Sequence, residues 1–411
     1  HKATFLLKDF FIYEALWEDK GKDAQLISWQ EKPFTKKGDN FSSYVTSILV
    51  NFTQGGVDDQ VSYVAKMNPC RGNIGIFNAD EEAQLFIKEG KFYLELLKDL
   101  NKLLIEHGEE RLRFPKCFFA NYEKEKQVII FEDVRTRGFK MSDRMTSMDT
   151  KHASLVLKEM GRLHSASVLM KGKYSVDNLL TKYECLKENR TKEHTDLVLG
   201  RSFAKGADIL AQMNGYDKGI KWVNENKDKL FDIITKSFAC LPSFQVVCHG
   251  DCWTNNLLFR YDSNDNPVEV ILLDVQVCRF ASLGSDLNHF MFNSIDADTR
   301  KTSINMLFSE YYTSFCKVLQ ASNEAIPFTL TELTKEYKDK HLYGLVFGTI
   351  MIPHMLMSSH DSPDLEKVSK EKIDEIIKKF VQKMFEDVKT NPLWKSRYFG
   401  MYDEMIENGV I

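Results

Sequence analysis

No apolar run in this sequence is long enough to cross a bilayer. The longest, Leu342 to Met357, is interrupted by Pro353 and His354 and falls short of the roughly 20 residues a spanning helix needs. It reads instead as a buried core helix. Charge of one sign is also scarce. A net charge of −4 gives no electrostatic ground for nucleic acid or a membrane as partner. Nor is there a disulfide framework. The eight cysteines, Cys70, Cys117, Cys185, Cys240, Cys248, Cys252, Cys278 and Cys316, are scattered, a usage that suits a reducing cytosol and a cytoplasmic protein. Cys248 and Cys252 bracket a loop triplet, but no second ligand pair follows, so they read as small buried thiols rather than a metal site. Repeats, low-complexity linkers and interaction tails are missing too, which leaves no trace of a scaffold. Nothing in the sequence points to an oligomeric state. The sequence opens on His1 rather than Met, which leaves an upstream targeting segment open.

What is present is enough for one large or two ordinary domains: 411 residues, 43% of them hydrophobic. The 29 phenylalanines leave material for an apolar ligand pocket beside the core. The most informative stretch is Val247 to Phe259, which contains His249-Gly250-Asp251 and, five residues after the Asp, Asn256. Soon after it, Val270-Ile271-Leu272-Leu273 forms an apolar run ending in Asp274, the pattern of a buried strand delivering an acid. Phosphoryl transfer needs such a set: one carboxylate to receive a hydroxyl proton, and an amide and a carboxylate to hold magnesium. On that reading Asp251 is the base, and Asn256 and Asp274 are the metal ligands.

Upstream, Val61 to Lys66 alternates as a strand and closes on a lysine. The next helix is expected from Ala79 to Gly108, with Leu85, Phe92, Tyr93, Leu96, Leu100, Leu103 and Leu104 on one stripe. Glu89 lies on that stripe. A buried carboxylate needs a cation, since removing the partner of a buried pair costs about 3–5 kcal/mol. Lys66 is the natural one, and the pair would hold the lysine against the phosphates of ATP. Before that strand, Gly38 to Ser43 reads as a polar turn between strands, with Ser42 and Ser43 available to a phosphate. Gln127 to Phe131 forms a further strand running into Glu132-Asp133-Val134, a hinge whose backbone at Glu132 and Val134 would read adenine. Asp149 caps a helix from about Lys151 to Met170. Tyr174 to Leu241 is polar and helical, with breaks expected near Gly200, Gly206 and Gly215. Ser285-Asp286-Leu287 either caps a helix or lets Asp286 brace the catalytic loop.

In this order, Lys66, Glu89, Glu132-Asp133, His249 to Asn256 and Asp274 resemble the protein-kinase-like superfamily, on its small-molecule branch with aminoglycoside phosphotransferases and choline kinases. A protein kinase is disfavoured: Trp253 stands where Lys is expected, Val275-Gln276 follows Asp274 in place of Phe-Gly, and no APE segment follows. HGDCWTNNLLFRYD, EVILLDVQ, SLGSDLNHF, FEDVRTRGFKMSDR and MGRLHSAS together resemble the ecdysteroid kinase-like family, over roughly residues 34–384. The resemblance implies an α+β, two-lobed fold. Residues 1–133 would form an ATP-binding lobe with a small antiparallel sheet and one key helix; residues 134–411 would form a larger, mostly helical catalytic and substrate lobe. It implies ATP and Mg2+ as cofactors, and transfer of the γ-phosphoryl to a hydroxyl of an apolar acceptor, an ecdysteroid or related steroid. The alternatives are a detoxifying kinase of xenobiotic alcohols or glycosides, a choline-type or aminoglycoside-type acceptor, or a non-catalytic ligand-binding pseudokinase. With only Gly38 in its turn, the phosphate loop departs most from the family pattern.

Overall fold

The computed structural model describes residues 7–33, 43–68, 79–124, 126–143, 145–357 and 370–411. It begins with helix α1 (Asp9–Lys20) and strands β1 (Gln25–Pro33), β2 (Tyr44–Gln54) and β3 (Val57–Met67). Helices α2 (Ala79–Lys91) and α3 (Leu97–Glu106) follow, then strands β4 (Cys117–Asn121) and β5 (Val128–Glu132). The five strands form one antiparallel sheet in the order β1-β2-β3-β5-β4.

Alternation along the strands assigns the two faces of this sheet. Val128 and Ile130 join Ile48, Val50 and Ala65 in a core with Phe11, Ile12 and Leu16 of α1. Ile129 and Phe131 point the other way, into the core shared with α2 and α3. Lys66 pairs with Ile129 across β3 and β5, and directly opposed residues share a face. The lysine is therefore aimed at the α2 side.

The long helix expected from Ala79 to Gly108 is interrupted by a π-turn at Phe92–Leu96. The extra residue of such a turn rotates the succeeding helix about its axis, so Phe92, Tyr93, Leu96 and Leu97 all reach the core. Leu85, expected on the stripe, is only half-buried, and Phe86 takes the buried place.

The rest of the chain is mostly helical. Strand β6 (Lys140–Met141) precedes α4 (Thr150–Lys173), α5 (Val176–Lys182), α6 (Lys192–Leu210), α7 (Asp217–Asn226) and α8 (Leu230–Phe238). Four short strands come next: β7 (Gln245–Cys248), β8 (Leu257–Tyr261), β9 (Pro267–Leu272) and β10 (Arg279–Ser282). Helices α9 (Leu283–Ser294), α10 (Ala297–Ala321), α11 (Leu330–Asp339), α12 (His341–Leu356), α13 (Lys370–Thr390) and α14 (Gly400–Glu407) complete it. The fold is thus α+β and two-lobed, with a small antiparallel sheet at one end and a larger helical body. Every residue of α9 is buried, and α12 packs against it as the core helix its composition predicts. Among the described residues no helix is long and apolar enough to cross a membrane.

Of the glycines expected to interrupt the 174–241 stretch, only Gly215 falls between helices; α6 runs through Gly200 and Gly206. A Cβ at Gly206 would stand 2.5 Å from Thr349 Cγ2, so the missing side chain admits α12 rather than ending the helix.

Candidate active site

Two antiparallel strand pairs suspend two loops side by side. β7 pairs with β10, and β8 pairs with β9. The loop from His249 to Asn256 joins β7 to β8, and the loop carrying Asp274 joins β9 to β10. A backbone hydrogen bond from Leu273 N to Asn256 O, 2.9 Å, ties one loop to the other. The loops also meet at Gly250. Its φ is 89°, and a Cβ there would lie 2.3 Å from the Val277 carbonyl oxygen. Only glycine fits both demands.

Asp286 holds the first loop from below. Its carboxylate accepts from His249 N at 2.7 Å, from Gly250 N at 2.8 Å and lies 3.1 Å from His164 Nε2. His164 Nδ1 in turn lies 2.7 Å from the Tyr311 hydroxyl. Burial alone would raise the Asp286 carboxyl, but His164, His249 and the Gly250 amide hold it down to about 2. The brace reading of this residue is the one the structure shows. The cap of α9 is Ser282, whose hydroxyl accepts from Gly284 N, not Ser285 or Asp286.

Within the loop, Asn256 Nδ2 donates to Asp251 O and to Asp251 Oδ2, both at 2.9 Å. The second Asp251 oxygen lies 3.0 Å from His289 Nε2 of α9. His289 is buried, its ring packs against Phe347 and Tyr343 of α12, and its Nδ1 has no partner among the described residues. His249 is also buried; burial lowers its pKa, so the ring is neutral, and Nδ1 accepts from Asp251 N at 3.3 Å.

Lys66 reaches across from the sheet. Its Nζ is 2.6 Å from Glu89 Oε2 and 3.0 Å from Asp274 Oδ1. Burial works against the charged lysine, but the two carboxylates outweigh it and raise the ammonium. Glu89 is pushed up to about 7, first by burial and then by the Asp274 charge, against the pull of Lys66. One ammonium is shared by two acids. Asp274 itself has φ 62°, a left-handed conformation that an aspartate tolerates better than most residues.

The expected site residues thus fall into four groups. Lys66, Glu89 and Asp274 are joined in one ion cluster, and Asp251 and Asn256 in one hydrogen-bonded loop bound to the Asp274 loop. Ser43 is buried just ahead of β2, while Ser42 and the rest of the Gly38 turn lie outside the described residues. At the hinge, Glu132 ends β5 opposite Tyr63, and its side chain turns to Arg137 at 2.8 Å. Val134 opens a short 3-10 turn, is buried against Phe139 and Ile271, and its carbonyl accepts from Phe139 N. Between them Asp133 is fixed by Ser62 and Arg135.

The donor set at the two loops is hard oxygen: the Asp274 and Asp251 carboxylates and the Asn256 amide oxygen. With one lysine facing Glu89 and Asp274, the cluster also carries excess negative charge. Both features fit a magnesium ion, which prefers oxygen ligands and keeps several waters. Cys248 and Cys252 are buried thiols that burial keeps protonated, and Cys248 Sγ lies against the Ala281 and Ser282 carbonyls. A cavity of about 1180 Å³ lies elsewhere, between α3, β4 and β9, and includes none of Lys66, Asp251, Asn256 or Asp274.

Sequence reasoning assigned no role to His164 or His289. Both sit within stretches that carry the resemblance, MGRLHSAS and SLGSDLNHF, yet a lone histidine on a buried helix face gives no sign of its partner.

Residues 37–324 match the sequence profile of the ecdysteroid kinase-like family. Among solved structures the chain is similar to an ethanolamine kinase of Plasmodium vivax, at 13% identity and a TM-score of 0.37, covering 84% of this chain and 89% of that one. A search of curated proteins finds no match.

Proposed function

Since the chain belongs to the ecdysteroid kinase-like family, and is therefore a small-molecule kinase, we propose that it phosphorylates a hydroxyl of an apolar acceptor, an ecdysteroid or related steroid, using ATP. The observation that carries this reading is the convergence of Lys66–Glu89 and Asp274 with the Asp251–Asn256 loop in one cluster.

In the proposed reaction the bond from the γ-phosphorus to the β,γ-bridging oxygen breaks as a bond from the acceptor oxygen forms. The bridging electron pair leaves with ADP, and the acceptor proton passes to Asp251. Lys66 steadies the α- and β-phosphates, with Glu89 orienting it. Asn256 and Asp274 would hold magnesium, which supplies charge neutralisation on the phosphates. Asn256 Nδ2 fixes one Asp251 oxygen, and His289 stands against the other, so the carboxylate is set before the hydroxyl arrives. The transition state of such transfers is loose and proton removal comes late, so Asp251 serves first to orient the hydroxyl. Ser42 and Ser43 would meet the phosphates and the Glu132–Val134 backbone the adenine. The two lobes divide, on this reading, between residues 133 and 134. The seven described cysteines are free thiols, which favours a reducing cytoplasm.

The test is a mass-spectrometric screen of the purified chain with Mg-ATP against ecdysteroids, phenolic glucosides, choline and an aminoglycoside, with Asp251→Asn as control. A phosphate adduct on an ecdysteroid, absent with the control, is the expected result. Adducts only on choline or the aminoglycoside would overturn the apolar acceptor, and adducts surviving in Asp251→Asn would remove Asp251 as the base.

A further inference from the structure

Helix α2 carries a second basic group that faces away from Lys66. Neighbouring helical residues point about 100° apart. With Glu89 turned to Lys66, Lys88 turns to the segment after α5, where its ammonium donates to the Lys187 carbonyl at 3.0 Å. Between α2, this segment and Gln276–Val277 lies a cavity of about 650 Å³, within the usual range for small-molecule sites. Leu85 and Leu199 give it an apolar wall; Lys88 and Arg190 give it charge.

The charges around this cavity do not balance. Lys88, Arg190 and Arg279 all act on Glu188, and Arg279 also feels the deeper Asp286. Glu188 is already engaged, by Arg279 Nε at 3.1 Å and by the Arg190 backbone amide at 2.9 Å. The Arg190 side chain stands off: its Nε is 3.9 Å from Glu188, buried, and without a hydrogen-bond partner among the described residues. Of the remaining acids at the rim, Glu184 pairs with Lys91 and Asp80 with Lys124, and Glu81 lies 2.9 Å from His194 Nδ1. Burial holds the Lys88 ammonium below its usual range, as expected for a cation short of counter-charge. Three cations share Glu188, and the Asp286 that Arg279 also feels is taken up by His164 and the loop amides, which leaves a surplus of positive charge in a partly desolvated place; such a surplus favours an anion.

We propose that this cavity binds an oxyanion (carboxylate, sulfate or phosphate) borne by a second molecule and held by Lys88 and Arg190. On the kinase reading, on which the identity of that molecule rests, it is an acceptor whose apolar, hydroxyl-bearing body also carries an anionic group, such as a steroid sulfate or carboxylate. Gln276 and Val277 follow Asp274 closely in the chain, so the cavity adjoins the transfer loop. The nucleotide phosphates are not the occupant, because Lys66 and Asp274 lie off another face of α2. A cationic acceptor of choline or aminoglycoside type meets charge of its own sign here, which discriminates against it.

The test uses the full chain and isothermal titration with inorganic phosphate and with sulfate, alone and with saturating Mg·AMP-PNP. Phosphate is expected to bind in both conditions. Arg190→Leu and Lys88→Met should each weaken it by about tenfold, the scale of one charge-assisted hydrogen bond, while AMP-PNP affinity stays within about twofold. Arg190→Lys, which preserves the charge, should retain part of the binding, and Lys301→Met, on the exposed side of α10, should retain all of it. Unchanged phosphate affinity in both Arg190→Leu and Lys88→Met would overturn the proposal, as would displacement of phosphate by AMP-PNP. If AMP-PNP fails to bind while phosphate binding still depends on Arg190, the oxyanion site stands and the kinase reading falls.

Discussion

Replacing Asp286 with asparagine should uncouple the catalytic loop from the helical body, by an amount that changes with pH. The carboxylate accepts from two loop amides and faces His164 while wholly buried. Asparagine keeps the shape but removes the charge, and sets an NH2 against a group that also donates. Its carboxyl lies near 2, against an ordinary value of 3.8. At about 1.4 kcal/mol for each tenfold change in proton affinity, that depression is worth about 2–3 kcal/mol to the folded state at neutral pH. The group's folded pKa is depressed, so this stabilisation is complete above pH 4–5, about half gone near pH 3, and lost as pH falls through about 2. The unmatched donor adds about 1–3 kcal/mol at any pH. Urea unfolding of wild type and Asp286→Asn should therefore show a gap of about 4–5 kcal/mol at pH 7, narrowing by about 1 kcal/mol at pH 3. A gap that stays constant between pH 7 and pH 3 would refute the claim that the brace is an ionised carboxylate.

Lys66→Met leaves Glu89 and Asp274 facing each other without their shared cation; it should cost about 3–5 kcal/mol of stability and abolish measurable ATP binding by titration calorimetry. Gly250→Ala drives a methyl into the Val277 carbonyl at a positive φ, so the purified variant should melt several degrees lower and lose turnover. His289→Ala should lower kcat by about tenfold or more with KM for ATP unchanged, and His289→Gln, which can still donate to Asp251, should restore part of it. A loss confined to KM for ATP would show that His289 does not act through Asp251.

Much of the site was legible in the sequence because two periodicities crossed there. Lys66 closes an alternating strand and Glu89 sits on an apolar helical stripe, so each was buried by its own pattern and each required the other. The His249 to Asn256 spacing needed no long-range information, since Asn256 turns back within its own loop. What escaped was set by packing between distant segments. The Asp251–His289 contact joins a loop to a helix through the fold, and neither residue's neighbours announce it. The choice between a cap and a brace at Asp286 was settled by the amides of His249 and Gly250, which are distant from it in sequence. Gly206 reads as a break because local propensity cannot see α12 approaching, and Gly200 because it cannot see the Lys227 carbonyl. The π-turn at Phe92–Leu96 is invisible to a stripe of fixed period, although the doubled apolar pairs Phe92-Tyr93 and Leu96-Leu97 are its trace.

On the proposed reading, the lysine shared by Glu89 and Asp274 would make nucleotide entry an exchange rather than a simple docking. A phosphate approaching Lys66 must displace a carboxylate that already satisfies it, so bare ATP competes at a disadvantage. A cation held at the Asp274 oxygens would free the ammonium to turn toward phosphate. Metal at one loop and nucleotide at Lys66 would thereby be linked, and the linkage would be reciprocal: each should tighten the other, through a single side chain that spans the sheet and the body.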